Sequence, residues 1–317
     1  MKERLLQLLA CPECLHSMRL QVDKKEKEEI IEGKLICPCG QQFPIIGTIP
    51  RFTLTQETEL KEKTSQSFGF EWNTFHKMFD AYRENFLNYI APLDKTFFRD
   101  KIVLDAGCGV GRHTYWTAEF GAREVIGMDF SDSAEASYAN TKHLDNVHIV
   151  QADIYHPPFK KGVFDYVFSI GVLHHLPDPE EGFRSLVPLV KSGGTMGIWV
   201  YGEKHNKAAR FIFEPVRMIT RHIPHRVLYY LCYLPTLGVE LSNRLYTSLS
   251  KFKLTAGLAR LLPLSYYVRF PFDVKLNDAF DVFATPKSTY WRKDQIEQWY
   301  DRAGLTDYDV TYLRKKV

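Results

Sequence analysis

Three sets of residues in this sequence have the types and spacing for chemistry: paired cysteines near the N-terminus, a glycine turn flanked by carboxylates, and a histidine pair. Cys11 and Cys14 stand in LLACPECLHSM, and Cys37 and Cys39 follow in LICPCGQQFPI. Four thiolates in two tight pairs suit a tetrahedral zinc ion. The second pair is CxC where CxxC is usual, so its knuckle must be tighter by one residue. Between the pairs, DKKEKEE at 23–29 reads as a solvated hairpin tip. A segment of about 50 residues has too small a core to stand alone, and a bound ion would supply the missing stability. The zinc is therefore expected to be structural; the competing reading is two unrelated pairs of buried cysteines.

The glycines lie in KIVLDAGCGVGRHTYWTAEFG, 101–121. Gly107, Gly109 and Gly111 make a turn with no side chains in the way, so a ligand can approach the backbone. A dinucleotide fingerprint would read GxGxxG, its amides cradling a pyrophosphate. Here the pattern is D-x-G-x-G-x-G. Asp105, just before the glycines, would repel a pyrophosphate and welcome an ammonium group, which favours the amino-acid end of S-adenosylmethionine. Two further carboxylates follow. Asp129, 18 residues beyond Gly111, can take both ribose hydroxyls. Asp153 can accept a hydrogen bond from an adenine amino group, with Ile154 packing on the ring. Cys108, inside the turn, reads as a small residue that fits there. One glycine motif could arise by chance; three acids at successive strand ends are harder to obtain that way, which disfavours a nicotinamide-binding domain.

These residues need strands and helices to hold them. Residues 102–106 form an apolar run suited to a central parallel strand, and RHTYWTAEF then reads as a helix stopped by Gly121. EVIGMDFS at 124–131, VHIVQAD at 147–153, FDYVFSIGVLHHL at 164–176 and SGGTMGIWVYG at 192–202 supply four more strands. Helices alternate with them: Ser131 or Asp132 caps one, and Asp178 with Pro179 opens another. The fold expected is α/β, with a doubly wound, mostly parallel sheet and its ligand at the carboxyl ends of the strands. RKDQIEQWYDRAG reads as a late helix and TDYDVTYL, 306–313, as a sixth strand.

The N-terminal segment, with GKLICPCGQQFPIIGTIPRF at 33–52, resembles the small zinc-ribbon activator proteins that bind methyltransferases. Residues 100–202 resemble the class I S-adenosylmethionine-dependent methyltransferases, of Rossmann-like fold, whose fourth strand ends in a VLHH or VLEH loop. The resemblance implies that Asp105, Gly107, Gly109 and Gly111 hold the methionine moiety. It assigns Asp129 with Phe130 to the ribose, Asp153 with Ile154 to the adenine, and Ile170 to the floor under the sulfonium. It makes His174 and His175 the candidate catalytic pair, since a histidine takes a proton near neutral pH; a structural role for His175, bonded to backbone under the loop, is the competing reading. Relatives that hold a divalent metal carry E-x-x-E-H in this loop, whereas Gly171 and His174 stand at those positions here. The sulfonium is itself a good leaving group, so transfer needs mainly close approach and alignment. A seventh, antiparallel strand is normal for the family, and with the sequence reaching Val317 it is expected to be missing, relocated or supplied from elsewhere.

The organisation expected is a ribbon at 1–55, a helical linker or lid at 56–100, the cofactor-binding core at 101–202, a helical insertion at 203–271, and a return to the core at 272–317. Phe68, Phe70 and Trp72 in the linker are candidates for a lid over the cofactor, or for simple core packing. In the insertion, residues 207–270 carry ten Lys and Arg against Glu214 and Glu240, a local +8 in a chain whose total is +3. Ala208, Ile212, Val216, Ile219 and Ile223 fall on one helical face, Arg210, Glu214, Arg217 and Arg221 on another, and Pro215 should kink the helix. Such a segment suits an anionic membrane surface, an anionic substrate, RNA or a homodimer contact. The methyl acceptor expected is a small or lipid-like molecule, acidic or membrane-borne, taking the methyl on O or N; the alternative is ribosomal or transfer RNA. Glu3 and Gln7 interrupt the N-terminal leucines, which argues against a signal peptide, and the longest apolar run, 227–234, is far short of the roughly 18 residues of a span. A cytoplasmic location with reduced thiols is the expectation.

Overall fold

The computed structural model describes residues 1–52, 59–252, 255–259, 262 and 264–313, the side chains of 59–61, 205–212 and 256 excepted. The chain forms two compact units, Met1–Lys204 with Lys287–Thr311, and a second built on His205–Pro286.

The first unit opens with an antiparallel meander: β1 (Arg19–Glu26), β2 (Glu29–Ile36), β3 (Gln42–Ile46) and β4 (Ile49–Phe52). Helices α1 (Glu59–Thr74) and α2 (Ala81–Tyr89) follow. The alternating core is β5 (Ile102–Ala106), α3 (Arg112–Glu119), β6 (Glu124–Asp129), α4 (Ser133–Thr141), β7 (Val147–Ala152), β8 (Phe164–Ile170), α5 (Pro179–Leu186) and β9 (Val190–Trp199). One nine-stranded sheet results, in the order β1-β2-β3-β4-β7-β6-β5-β8-β9. The strands from β4 to β9 pair in parallel, so the five strands expected from their apolar runs lie in one doubly wound sheet.

Alternate residues of each strand face opposite layers, as a period of two requires. Val103, Val125 and Phe168 pack with Phe86 of α2 and Ala118 of α3. Leu104, Ile126 and Val150 pack on the other face with Phe183 of α5 and with Trp299 of α11 (Lys293–Arg302). Leu5, Leu9, Leu35 and Phe43 of the N-terminal segment belong to this second layer. The ribbon thus has no separate core. Its last strand joins the sheet in parallel register, Arg51 opposite Gln151 and Phe52 opposite Ala152. Beside it, Leu9 bridges to Phe159, and Arg4 Nε lies 2.7 Å from Glu124 Oε1.

One expectation fails at the far edge. Among the described residues no strand forms over 306–313, and none follows β9 in the sheet. The chain returning beside β9 makes a single bridge there, Gly202 to Trp291. Tyr308 instead turns back onto α11, its ring 5.0 Å from that of Tyr300.

The second unit contains most of α6 (Glu203–Thr220), then α7 (His225–Leu231), α8 (Tyr233–Ser250), the short α9 (Ala256–Ala259) and α10 (Phe272–Ala284). α6 continues through Pro215 as one helix. The polarity expected of its faces is not observed. Arg217 is buried, donating from Nε to Val282 O at 2.6 Å and from Nη1 to Glu214 at 3.2 Å, whereas Val216, Met218 and Ile219 are exposed. A buried guanidinium is tolerable because a carbonyl and a carboxylate satisfy it. Ala208, Arg210 and Ile212 of the same expectation lie outside the described residues.

Candidate functional site

Parallel strands leave their carboxyl ends open between the loops that lead to the helices, and a cavity of ≈ 970 Å³, partly open to solvent, lies there. The loop after β5 supplies Gly107 and Gly109, the end of β6 supplies Asp129 and Phe130, the end of β7 Asp153 and Ile154, and the end of β8 Ile170 and His175.

The glycine turn has a steric reason. Gly107 has φ +93°, and a Cβ there would stand 2.3 Å from Val172 Cγ2. Gly111 does not line the cavity. It begins α3 with φ +80°, and a Cβ would meet Ser137 Oγ at 2.5 Å, so its task is to let α3 approach α4. Asp129 ties two loops together. Its Oδ2 accepts from Gly109 N–H at 2.8 Å, while Oδ1 accepts from Ser131 N–H at 2.9 Å and Ser131 Oγ at 2.7 Å. Asp153 Oδ1 accepts from Tyr155 N–H at 3.0 Å.

Asp105 also stands behind the cavity wall. It is buried, and its Oδ2 accepts from Thr114 Oγ1 at 2.7 Å. Burial pushes its pKa up to about 7; the Thr114 bond opposes this, the Asp129 charge adds to it, and Arg112 opposes it. The carboxyl thus ties the end of β5 to α3, on either side of the glycine turn, and does not line the cavity.

The two histidines separate. His174 is fully buried with its ring 3.9 Å from that of Tyr201, and it does not line the cavity. The short turn Leu173–His175 aims it inward, so the expectation that it meets the acceptor is corrected. His175 does line the cavity. Its Nδ1 lies 2.8 Å from Lys287 O, and because a carbonyl can only accept, Nδ1 carries the proton. In the neutral ring Nε2 is then the basic nitrogen.

Above the strand ends, α1 presents Thr64, Phe68 and Trp72, one face at a spacing of four, to the cavity. The Phe68 ring lies 5.1 Å from that of His175. Phe70 does not line the cavity. Arg112, at the first turn of α3, lines it as well, and its guanidinium lies 5.0 Å over the Trp72 ring. Arg112 was not singled out from sequence, and Ser131 only as a candidate helix cap. Arg112 follows the last glycine directly, where the first residue of the helix must face whatever the turn holds, and that position is the signal that could have found it.

The cysteines converge as their spacing implied. The four sulfurs lie within 4.8 Å of one another, with Cys14 to Cys37 at 3.3 Å and Cys11 to Cys39 at 3.8 Å. Zinc–sulfur bonds of about 2.3 Å in a tetrahedron place sulfurs about 3.8 Å apart, so the four fit one ion. Each knuckle closes on a left-handed residue, Leu15 (φ +62°) after Cys14 and Gly40 (φ +95°) after Cys39. That shared geometry lets CxC serve beside CxxC. The site is remote from the strand-end cavity in sequence and shares no lining residue with it.

Comparison with known proteins agrees with both halves. Residues 104–198 match the methyltransferase domain family and residues 2–47 match the Trm112p-like protein family. Over 212 residues the chain is 24% identical to an uncharacterized protein of Synechococcus, covering 64% of this chain and 47% of that one. It is 32% identical over 112 residues to the sterol 24-C-methyltransferase of Schizosaccharomyces pombe, 33% of this chain and 30% of the relative. It is 33% identical over 117 residues to the tRNA U34 carboxymethyltransferase of Psychromonas ingrahamii, 36% and 34% respectively. The chain therefore spans less than half the length of each of these relatives. The chain thus carries a methyltransferase domain over residues 104–198, on a sheet and strand-end cavity consistent with the class I S-adenosylmethionine-dependent type, and a Trm112p-like segment over residues 2–47 whose four cysteines fit a zinc ion.

Proposed function

We propose that this chain transfers a methyl group from S-adenosylmethionine to an O or N atom of a small or lipid-like acceptor, in the reducing cytoplasm. The observation that carries the reading is the convergence of Gly107, Gly109, Asp129, Phe130, Asp153, Ile154 and Ile170 on one cavity with His175 on its wall. When bound, the cofactor supplies an activated methyl on a good leaving group. Asp129 is assigned to the ribose hydroxyls and Asp153 with Ile154 to the adenine. The glycine turn, braced by Asp105 and Gly111 from behind, is assigned to the methionine moiety, with the Arg112 guanidinium available to its carboxylate. Ile170 forms the floor. Phe68 and Trp72 cover the cavity and exclude water, which favours displacement by the acceptor over hydrolysis. Nε2 of His175 accepts the acceptor's proton. Zinc at Cys11, Cys14, Cys37 and Cys39 supports the edge of the sheet and takes no part in the transfer.

The second reading, transfer to RNA, is favoured by the +8 of residues 207–270 and by the similarity to a tRNA-modifying enzyme. The test is incubation of the full chain with methyl-labelled cofactor and with separated RNA, lipid and small-molecule fractions. Label in lipid or small molecules supports the first reading, label in RNA the second. No transfer, together with no calorimetric binding of the cofactor or its demethylated product, overturns both.

A further inference from the structure

The second unit buries Val274, Leu276 and Phe280 of α10 yet leaves an apolar face of α7 and α8 exposed. Along α7 and α8 the buried residues are Leu228, Cys232, Thr236 and Asn243, two of them polar, while the exposed face is aliphatic. Cys232, between the helices, has helical dihedrals (φ −65°, ψ −17°), so the two run on nearly as one. At about 100° per residue, Val227, Tyr230, Leu231, Leu234, Leu237, Leu241 and Leu245 fall within an arc of about 120°. All are exposed, Tyr230, Leu234 and Leu241 to 70%, 71% and 70%. Polar groups are drawn inward elsewhere in the unit: Lys275 is buried with Nζ 2.6 Å from Glu240 Oε2, and Arg217 is buried as described. A continuous aliphatic ridge of this kind marks an interaction surface.

One border of the ridge is cationic. Arg226, Arg244 and Lys251 fall together beside the arc, and the Arg244 side chain is 77% exposed. The acid on these helices, Glu240, is engaged by the buried Lys275 and by Arg244. Leucines and a tyrosine edged by exposed cations match the boundary of an anionic bilayer, acyl chains below and headgroup phosphates beside. A second copy of the chain would cover the leucines without using the cations, and RNA would use the cations without covering the leucines. Among the described residues no helix is long and apolar enough to cross a membrane. We infer that the second unit docks on an anionic lipid bilayer surface, with α7 and α8 lying in the interface plane. This does not rest on the methyl-transfer reading.

The experiment is flotation of the full chain, without cofactor, on phosphatidylcholine vesicles and on mixed phosphatidylcholine–phosphatidylglycerol vesicles. Binding is expected on the mixed vesicles, about 10-fold weaker on the neutral ones, and reduced by salt. The double variant Leu234→Glu, Leu241→Glu should lose flotation at least about 10-fold with its melting curve unchanged, since both side chains are exposed. Arg226→Gln with Arg244→Gln should retain folding and lose most of the preference for the anionic vesicles. Absence of flotation of the unmodified chain on mixed vesicles at low salt overturns the inference whatever the variants do. So does flotation that the leucine variant retains, or a dimer in vesicle-free solution that the leucine variant converts to monomer.

Discussion

The backbone N–H of Gly109 donates to Oδ2 of Asp129 at 2.8 Å, so the glycine turn after β5 is fastened to the acid at the end of β6. The same carboxylate also orders Ser131. Two loops of the cavity are thereby set before any ligand arrives. Asp129→Ala removes the proposed ribose acceptor and that fastening together, and calorimetry should show cofactor affinity falling by about 100-fold or more. Asp129→Asn keeps one acceptor oxygen, for Gly109 or for Ser131 but not both, and loses the charge, so its loss should be smaller than that of Asp129→Ala, with some cost in melting temperature. Equal affinities for all three proteins would remove Asp129 from the site.

Gly107 should tolerate no side chain. A Cβ at φ +93° meets Val172 at 2.3 Å, and Gly107→Ala should cost about 2 kcal/mol or more of stability and most cofactor binding. Val172→Ala removes the clash and leaves the strained φ. The double variant should therefore recover part of the loss in a denaturant titration, and full recovery would show that strain contributes nothing.

How much of this was legible follows from the range of the interactions. β5, β6 and β7 are short apolar runs with an acid at or beside their ends, and β7 is buried along its whole length, so local pattern located them and those carboxylates. The pairing of β4 with β7 joins residues about 100 apart, and nothing in IPRF distinguishes a ribbon strand from a sheet partner. The 306–313 segment has a strand's composition, yet Tyr308 finds Tyr300 and the edge of β9 gets one bridge. The insertion misled for a related reason. Hydrophobic periodicity gives the arc of a helix but not which side faces water, and burial of Arg217 depends on Val282, supplied by α10. His174 and His175 are adjacent in sequence, so only the turn that carries them could tell which reaches the cavity.

Asp105 predicts a pH dependence. Its folded pKa, pushed up by burial to about 7, lies above the ordinary carboxylate value near 3.8. Folding is thus favoured by the protonated form. The contribution is fully present below about pH 4, declines as the unfolded chain ionises while the folded one does not, and is lost by the time the folded pKa is passed; the span is about 4 kcal/mol at most. Asp105→Asn keeps an acceptor for Thr114 and cannot ionise. Denaturation from pH 4 to 8 should show the variant losing less stability than the unmodified chain as pH rises, and parallel curves would place the titration elsewhere.

Removal of zinc should be felt in the methyltransferase core. Phe52 and Leu9 of the ribbon segment share one apolar layer with Val150 and Phe159, and β4 is hydrogen-bonded to β7. Cys11→Ser, or extraction by a strong chelator, should release the ion and lower a shared unfolding transition by roughly 10 °C. Calorimetry checks this. A core transition unmoved by loss of the metal would mean that the ribbon rests on the sheet without supporting it.

His175 should control turnover, and His174 should control packing. His175→Gln retains a side-chain donor toward Lys287 O but removes the basic Nε2, so the rate of methyl transfer should fall by about 100-fold. Binding of the demethylated cofactor should change little. His174→Phe keeps an aromatic ring against Tyr201, where the centroids now lie 3.9 Å apart. Its transfer rate should stay within a few-fold, with any cost appearing in melting temperature. The opposite pattern, a silent His175→Gln and an inactive but well-folded His174→Phe, would place the proton acceptor on the buried ring and require the Leu173–His175 turn to rearrange when the acceptor binds.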